Sequence, residues 1–367
     1  MENNENMNSH LKIDIFDLPK RVRTLSENSV NLKSGELLHP GVIDLLSKIL
    51  SLPPEVFQLY PVTSKIVDII AQNWNIPQKM ITLSAGSDPI ISIIIDALGS
   101  TKGRIILQSP NYFGWHDYSK LRKLEVIPIQ FGYPKKHSYC IKNFLKKINS
   151  TQPSLVVISN PNNPTGFFFN KKEMDILAKE CFENDHLLVI DECFIGFANT
   201  NYYKITNLYE NVILVRSFSK FFGLAGARIA MTIASEKITD YLARWRPDAA
   251  VSGAALKILE GMLNNKNKIN DIVDDIVNSR EKFIKIMKKK VPEWDALPSS
   301  ANFVIFYLNK QGDPQVIEDQ LKIAGYCIKN VSDLPGLNSC IRIGIAHWPI
   351  MEKLIEKICE ILKKDVK

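Results

Sequence analysis

Short apolar runs alternate along this chain with longer segments in which apolar residues recur every three or four positions. Runs of five or six apolar residues are typical of strands buried on both faces of a parallel sheet, and the periodic segments between them are typical of crossover helices. The pattern predicts an α/β fold in three layers, with a mostly parallel, doubly wound sheet between helices and a smaller α+β unit after it. The predicted strands are residues 104–108, 125–130, 155–159, 187–191, 212–216 and 229–233, with 303–308 and 341–345 in the smaller unit, and the predicted helices include 90–98, 171–183 and a long stretch over about 253–289.

Polar residues follow two of the predicted strands directly. The segment NPNNPTG at 160–166 comes after one strand, and DECF at 191–194 ends the next and continues beyond it. Open α/β sheets build ligand sites at the carboxyl ends of their strands, and a buried aspartate there can hold the protonated nitrogen of a pyridine ring. A turn and a helix cap are the alternatives for the two segments taken singly.

Lys220 lies among small and apolar residues in the segment SFSKFFGLAGAR at 217–228, and Arg228 follows two helical turns further on. Such surroundings disfavour the ammonium form and make the amine a usable nucleophile, while a fixed arginine can hold a phosphate. A solvated surface lysine is the alternative for Lys220 alone. Upstream, SAGSDP at 84–89 leads into an apolar segment, and the free N–H groups of a helix that starts there would bind an anion.

These motifs, together with Ile341-Arg342-Ile343, resemble those of the fold-type I pyridoxal-phosphate-dependent aminotransferases over about residues 55–350. Tyr60-Pro61 and the segment LPGL at 334–337 are similar to the branch that holds histidinol-phosphate aminotransferase and threonine-phosphate decarboxylase. The resemblance implies the three-layer transferase fold, pyridoxal 5′-phosphate as cofactor, an amino-acid substrate and a homodimer. It also implies an N-terminal arm and part of the small domain in residues 1–45, a large cofactor-binding domain in 46–250 and a small C-terminal domain in 251–367.

The resemblance further implies roles for single residues. Lys220 would be the Schiff-base partner and the acid/base that moves the substrate proton, and Asp191 would pair with the ring nitrogen. Arg342 would take the substrate α-carboxylate in a bidentate contact that lysine cannot reproduce. The implied cofactor-binding residues are Gly86, Ser87, Asp88, Tyr112, Asn163, Asp191, Phe194, Ser217, Ser219, Lys220, Arg228 and, from the other subunit, Tyr60, and the implied substrate-binding residues are Arg342, Asn163 and Lys329.

Three positions depart from the family pattern. Many aminotransferases have a tyrosine where this chain has Phe194, whereas the threonine-phosphate decarboxylase pattern has phenylalanine. Lys329 stands where histidinol-phosphate aminotransferase has an arginine for the substrate phosphate, and a solvated lysine is the alternative there. The loop RWRPD at 244–248 differs from both enzymes and indicates a different side-chain pocket.

Three functions remain open at this point. The favoured one is an aminotransferase that exchanges an amino group with a 2-oxo acid. The second is a pyridoxal-phosphate lyase, either a decarboxylase or an eliminating or cyclising enzyme, because fold and cofactor do not fix the reaction. The third is a binding protein without catalysis, against which the intact set of Lys220, Asp191, Asn163 and Arg228 argues.

Charge and composition exclude several other classes. The net charge of +7 is spread over lysine-rich helices with no pattern of stacking aromatic residues, so we expect no nucleic-acid partner. Six cysteines show neither C-x-x-C spacing nor zinc-ligand intervals, so we expect no metal. The polar first ten residues and the absence of a long apolar stretch predict a cytoplasmic protein with no membrane partner.

Overall fold

The computed structural model describes residues 29–132, 139–309 and 311–364, so the part of the predicted arm before residue 29 lies outside it. From the N-terminus the elements are β1 (Val30–Asn31), α1 (Pro40–Ile49), α2 (Glu55–Gln58), α3 (Ser64–Trp74), β2 (Ile81–Ser84), α4 (Ser87–Ile94), α5 (Ser100–Lys102), β3 (Arg104–Ser109), α6 (Phe113–Leu121), β4 (Glu125–Gln130), α7 (Ile141–Ser150), β5 (Leu155–Ser159), α8 (Lys171–Glu183) and β6 (Leu187–Asp191). They continue as α9 (Ile205–Leu208), β7 (Val212–Ser217), β8 (Ala230–Ala234), α10 (Glu236–Ala243), α11 (Gly253–Asn264), α12 (Lys266–Lys290), β9 (Asp295–Ala296), β10 (Phe303–Tyr307), α13 (Pro314–Ile323), β11 (Tyr326–Cys327), β12 (Lys329–Asn330), β13 (Cys340–Gly344) and α14 (Trp348–Lys364).

The large sheet has the strand order β2-β8-β7-β6-β5-β3-β4. Its strand β8 runs antiparallel to both neighbours, and the other pairs are parallel. Successive residues of a strand point to opposite faces, so neighbours such as Val189 and Ile190 pack into two different apolar layers. This explains the continuous apolar runs, and it confirms the predicted mostly parallel sheet between helices.

A second, antiparallel sheet has the order β12-β13-β10-β9. Lys329 of β12 lies directly opposite Arg342 of β13, so both side chains are on the same face of this sheet. The N-terminal part of the described chain joins this unit, because β1 pairs with β11 and the Gly344 N–H donates to the Leu32 carbonyl over 2.7 Å. The predicted smaller α+β unit therefore also includes residues from the other end of the chain.

Several predicted elements differ from the structure. The stretch 253–289 is two helices, α11 and α12, separated at Asn265. The helix predicted at 90–98 begins at Ser87, and its last turn widens over Ile95–Gly99. Strand β2 was not predicted from the pattern, since four residues give too short an apolar run.

The segment between Lys220 and Arg228 is a series of turns, so the expectation of two helical turns is wrong. Gly223 and Arg228 have left-handed φ angles of 69° and 54°, which a helix does not contain. The chain therefore connects Lys220 to Arg228 through turns. None of the described helices is long and apolar enough to cross a membrane.

Candidate active site

Asp191 is the last residue of β6 and is 5% exposed. Its carboxylate accepts hydrogen bonds from Trp115 Nε1, 2.8 Å from Oδ2, and from the Cys193 backbone N–H, 3.1 Å from Oδ1. Burial raises the pKa of Asp191, and the contacts with Trp115 and Cys193 act in the opposite direction. The fold thus places a buried acid at a strand end and supplies donors that favour its charged form.

Tyr112 precedes α6 and lies beside the start of α4. Its hydroxyl donates to Asp88 Oδ1 over 2.6 Å, and burial, followed by the charge of Asp88, raises the Tyr112 pKa so that the phenol stays protonated. Gly114 is required next to it, because a Cβ there would lie 2.8 Å from Tyr112 Cε1. The ring is therefore held by one polar contact and one close backbone approach.

A group of hydrogen-bond donors lies around the start of α4. Arg228 Nη1 donates to Ser219 Oγ over 3.3 Å, and Arg228 Nη2 is 3.8 Å from Asp88 Oδ2. Gly86 has a φ of 99°, and a Cβ there would lie 2.6 Å from Arg228 Nη2. The guanidinium is 48% exposed, so it has room for a further anion next to the free N–H groups of the helix start. The Ser219 N–H donates to Ser217 Oγ over 3.1 Å and fixes the adjoining turn.

Lys220 lies between this group and the N-terminal segment of the chain. Its Nζ donates to the Ser34 carbonyl over 2.7 Å and is 5.5 Å from the centre of the Phe194 ring. Phe194 is buried and packs edge-on against Phe303, with ring centres 5.2 Å apart. The amine is thus half-buried next to an aromatic ring that offers it no hydroxyl.

Arg342 is buried in β13, and its guanidinium lies 4.9 Å from the centre of the Phe303 ring. Nη1 donates to Asn163 Oδ1 and Nη2 to the Lys33 carbonyl. Nε has no hydrogen-bond partner among the described residues. Burial lowers the Arg342 pKa to about 10, which leaves the group charged at neutral pH.

The structure brings most of the predicted residues together. Asp191 ends β6 and Lys220 follows the end of the neighbouring strand β7, so both lie at the same edge of the sheet, and Asp88 connects Tyr112 with Arg228. Lys329 is exposed on the sheet face of Arg342. Tyr60 is 91% exposed and lies outside this set of contacts within the single chain.

The residues present fit the predicted pyridoxal phosphate. Its phosphate matches the donors around Arg228, its ring nitrogen matches Asp191, and its aldehyde matches the half-buried Lys220. In addition, Asn111 Nδ2 next to Tyr112 is buried without a hydrogen-bond partner among the described residues. An orphaned buried donor in such a place is typical of a ligand site.

The sequence analysis did not identify Trp115, Cys193, Lys33 and Ser34 as parts of the site. Cys193 lies inside the recognised segment DECF at 191–194, and Trp115 follows Tyr112 by one helical turn. Both could therefore have been found from their neighbours in the sequence. Lys33 and Ser34 contribute only backbone carbonyls from the far end of the chain, and no sequence pattern marks them.

A separate cluster of side chains lies near the start of α1. His39 Nε2 and His347 Nδ1 both approach Asp275 Oδ2, at 3.2 Å and 3.1 Å. His39 Nδ1 accepts from the Gly41 N–H over 3.0 Å and caps α1, so Nε2 carries the proton. The three groups could in principle hold a metal, but binding through His39 Nε2 would break the helix cap.

The family described as aminotransferase class I and II matches residues 29–362. The histidinol-phosphate aminotransferase of Thermoanaerobacter pseudethanolicus is 28% identical over 307 residues, which are 82% of this chain and 83% of that protein. The histidinol-phosphate aminotransferase of Methanocaldococcus jannaschii is 24% identical over 348 residues, which are 94% of this chain and 90% of the relative.

Two solved structures illustrate the shared fold. The histidinol-phosphate aminotransferase of Sinorhizobium meliloti was solved in complex with pyridoxal-5′-phosphate and has a TM-score of 0.79 at 21% identity. The match covers 91% of this chain and 91% of that one. The L-threonine-O-3-phosphate decarboxylase of Porphyromonas gingivalis has a TM-score of 0.76 at 19% identity and covers 91% of this chain and 99% of its own. At these identities the similarity concerns the fold.

Proposed function

Because the chain belongs to the aminotransferase class I and II family, we propose that it transfers the amino group of a phosphorylated amino compound to a 2-oxo acid. The enzyme is a pyridoxal-phosphate-dependent aminotransferase. The observation that supports the assignment of site residues is that Asp191 after β6, Lys220 after β7 and the Tyr112–Asp88–Arg228 contacts at the start of α4 all lie at one edge of the sheet.

Each residue has a definite task in this reaction. Bound here, pyridoxal phosphate supplies the electron sink for the bond that breaks at the substrate α-carbon. Asp191 holds a negative charge at the ring nitrogen, and Tyr112 covers the ring and excludes water. Lys220 Nζ would take the proton from the substrate α-carbon and deliver it to the cofactor carbon C4′, which is the proton transfer that transamination requires.

Two basic side chains support an anionic substrate. Arg342 presents a buried guanidinium beside Asn163, and two parallel N–H groups of such a fork match a carboxylate or a phosphate. Lys329 lies opposite Arg342 on the same face of the sheet, where its exposed side chain adds a second positive charge. A phosphate, with close to two negative charges at neutral pH, matches this pair better than a single carboxylate does.

The substrate class is tested by comparing L-histidinol phosphate with L-histidinol, each with 2-oxoglutarate as acceptor. We expect kcat/KM for the phosphate ester to exceed that for the alcohol at least tenfold, which is about 1.4 kcal/mol of added binding in the transition state. Lys329→Ala should reduce this preference, and Lys322→Ala, which changes an exposed lysine of α13, should leave it unchanged. Equal kcat/KM values for the two compounds would refute a phosphorylated substrate.

A lyase is the second candidate, because Phe194 lacks the hydroxyl that many aminotransferases have at this position. O-phospho-L-threonine is the discriminating compound, since it has both a carboxylate and a phosphate. An aminotransferase without 2-oxo acid converts its cofactor to pyridoxamine phosphate once and stops. Repeated release of carbon dioxide without any 2-oxo acid would instead establish the lyase.

The proposal includes a homodimer with Tyr60 reaching the phosphate of the other subunit. Phe57, Leu59, Tyr60 and Val62 are large apolar residues that are each more than 60% exposed in the single chain. Such a patch supports burial against a second copy. The proposal also places the enzyme in the cytoplasm, which its six free cysteines support, since reducing compartments keep thiols unpaired.

A further inference from the structure

The side chain of Asp88 lies between the tyrosine that would cover the cofactor ring and the arginine that would hold the phosphate. Its Oδ1 accepts a hydrogen bond from the Tyr112 hydroxyl over 2.6 Å, and its Oδ2 is 3.8 Å from Arg228 Nη2. The first distance is typical of a hydroxyl bound to a charged carboxylate, and the second is too long for a hydrogen bond. The carboxylate is therefore bound mainly to Tyr112.

A carboxylate at this position opposes the binding of a phosphate. Asp88 is the second residue of α4, and the free N–H groups at a helix start favour an anion. The negative charge of the side chain repels such an anion and also offsets part of the charge of Arg228. Only the backbone N–H of Asp88 suits the phosphate contact that the family resemblance implies, so the side chain needs another explanation.

The contact with Tyr112 supplies that explanation. Burial, followed by the charge of Asp88, raises the pKa of Tyr112, so the phenol keeps the proton that it donates. Gly114 leaves room for one edge of the ring, since a Cβ there would lie 2.8 Å from Tyr112 Cε1. The hydrogen bond at the far end of the side chain then limits the swing of the ring into or out of the site.

We propose that Asp88 is a positioning residue, whose carboxylate fixes the ring of Tyr112 over the cofactor ring and does not favour the phosphate. The inference rests on the proposed function, since it requires a pyridine ring next to Tyr112. Because Asp88 acts through Tyr112, its substitution should affect the ring half of the cofactor and spare the phosphate half.

The test uses the two halves of the cofactor separately on purified apoprotein: pyridoxal, which has the ring without the phosphate, and inorganic phosphate. Asp88→Ala should weaken the binding of pyridoxal, followed by fluorescence, about fivefold to tenfold, as expected for the loss of one hydrogen bond. It should not weaken the binding of inorganic phosphate, followed by calorimetry, because a like charge is removed. Asp88→Asn keeps an acceptor for the tyrosine hydroxyl and should bind pyridoxal within about twofold of the wild type.

Tyr112→Phe shows whether Asp88 acts through the hydroxyl. This substitution alone should weaken pyridoxal about as much as Asp88→Ala does, and the addition of Asp88→Ala should cause less than about a twofold further loss. Tyr241→Phe is the matched control, because it removes a hydroxyl that donates to the Ala97 carbonyl over 3.3 Å, away from the site. It should leave both dissociation constants unchanged.

Three results would overturn the inference. One is an equal loss of pyridoxal affinity on Asp88→Ala with and without the Tyr112 hydroxyl, and another is a loss of phosphate affinity as large as the loss of pyridoxal affinity. The third is an Asp88→Asn variant that binds pyridoxal as weakly as Asp88→Ala. If wild-type apoprotein binds no pyridoxal phosphate, the proposed function itself fails, and this outcome is distinct from the other three.

Discussion

Replacing Trp115 by phenylalanine removes one hydrogen bond from a buried carboxylate. The indole Nε1 is 2.8 Å from Asp191 Oδ2, and both side chains are buried. Phenylalanine retains most of the packing but leaves Asp191 with fewer donors. Hydrogen bonds to charged groups contribute about 1.5–3 kcal/mol, so the affinity for pyridoxal phosphate should fall about 10- to 150-fold.

The same substitution should alter the pH dependence of cofactor binding. Burial already raises the pKa of Asp191, and the hydrogen bond from Trp115 lowers it. Without that bond the Asp191 pKa rises further, so the carboxylate becomes protonated at a higher pH. On acidification the variant should therefore lose cofactor affinity at a higher pH than the wild type does.

The assay is titration of apoprotein with pyridoxal phosphate, followed by fluorescence, over about pH 5.5 to 8.5. Trp294→Phe is the matched control, because buried Trp294 also loses one Nε1 hydrogen bond, here to the Gln311 carbonyl at 3.0 Å, far along the chain from the site. Both variants should lose some stability toward urea, but only Trp115→Phe should lose cofactor affinity. Equal cofactor affinity of Trp115→Phe and the wild type would refute the reasoning.

Three further predictions concern other parts of the molecule. Gly86→Ala introduces a Cβ 2.6 Å from Arg228 Nη2 at a φ of 99°. It should weaken the binding of pyridoxal phosphate at least tenfold and leave the binding of pyridoxal, which has no phosphate, unchanged in a parallel titration. Burial and the charge of His347 lower the His39 pKa below 6.5, so the unfolded chain binds more protons and stability should fall as the pH drops below about 6.5. The urea midpoint of His39→Asn should change less with pH than that of the wild type. An equal pH dependence of the two midpoints would contradict the role given to His39. Tyr60→Phe should weaken cofactor binding by about 1.5–3 kcal/mol, because the hydroxyl reaches the phosphate across a dimer. Sedimentation that finds a fully active monomer would contradict this role of Tyr60.

Local patterns predicted the sheet and its polar edge well. The strands at 125–130, 155–159 and 187–191 have the predicted bounds, because polar or turn-forming residues follow each short run directly. The acid, the lysine and the phosphate-binding donors follow such strands or begin a helix, so they too were visible in the sequence. Their catalytic and binding roles, and the domain limits at 45 and 250, stay predictions.

Contacts between distant segments could not be predicted. Lys220 meets the carbonyl of Ser34, and Arg342 meets that of Lys33, because the N-terminal segment joins the C-terminal sheet. Backbone carbonyls have no residue type that a pattern could reveal. The turns from Lys220 to Arg228 were mistaken for a helix because Leu, Ala and Phe suit both, and only the left-handed φ angles distinguish them.

The most direct test of the central claim is the site of covalent attachment of the cofactor. Holoenzyme reduced with borohydride, digested and analysed by mass spectrometry should yield one peptide with the phosphopyridoxyl group on Lys220, and Lys220→Ala should yield none. Attachment to any other lysine of the wild type would contradict the account of this site.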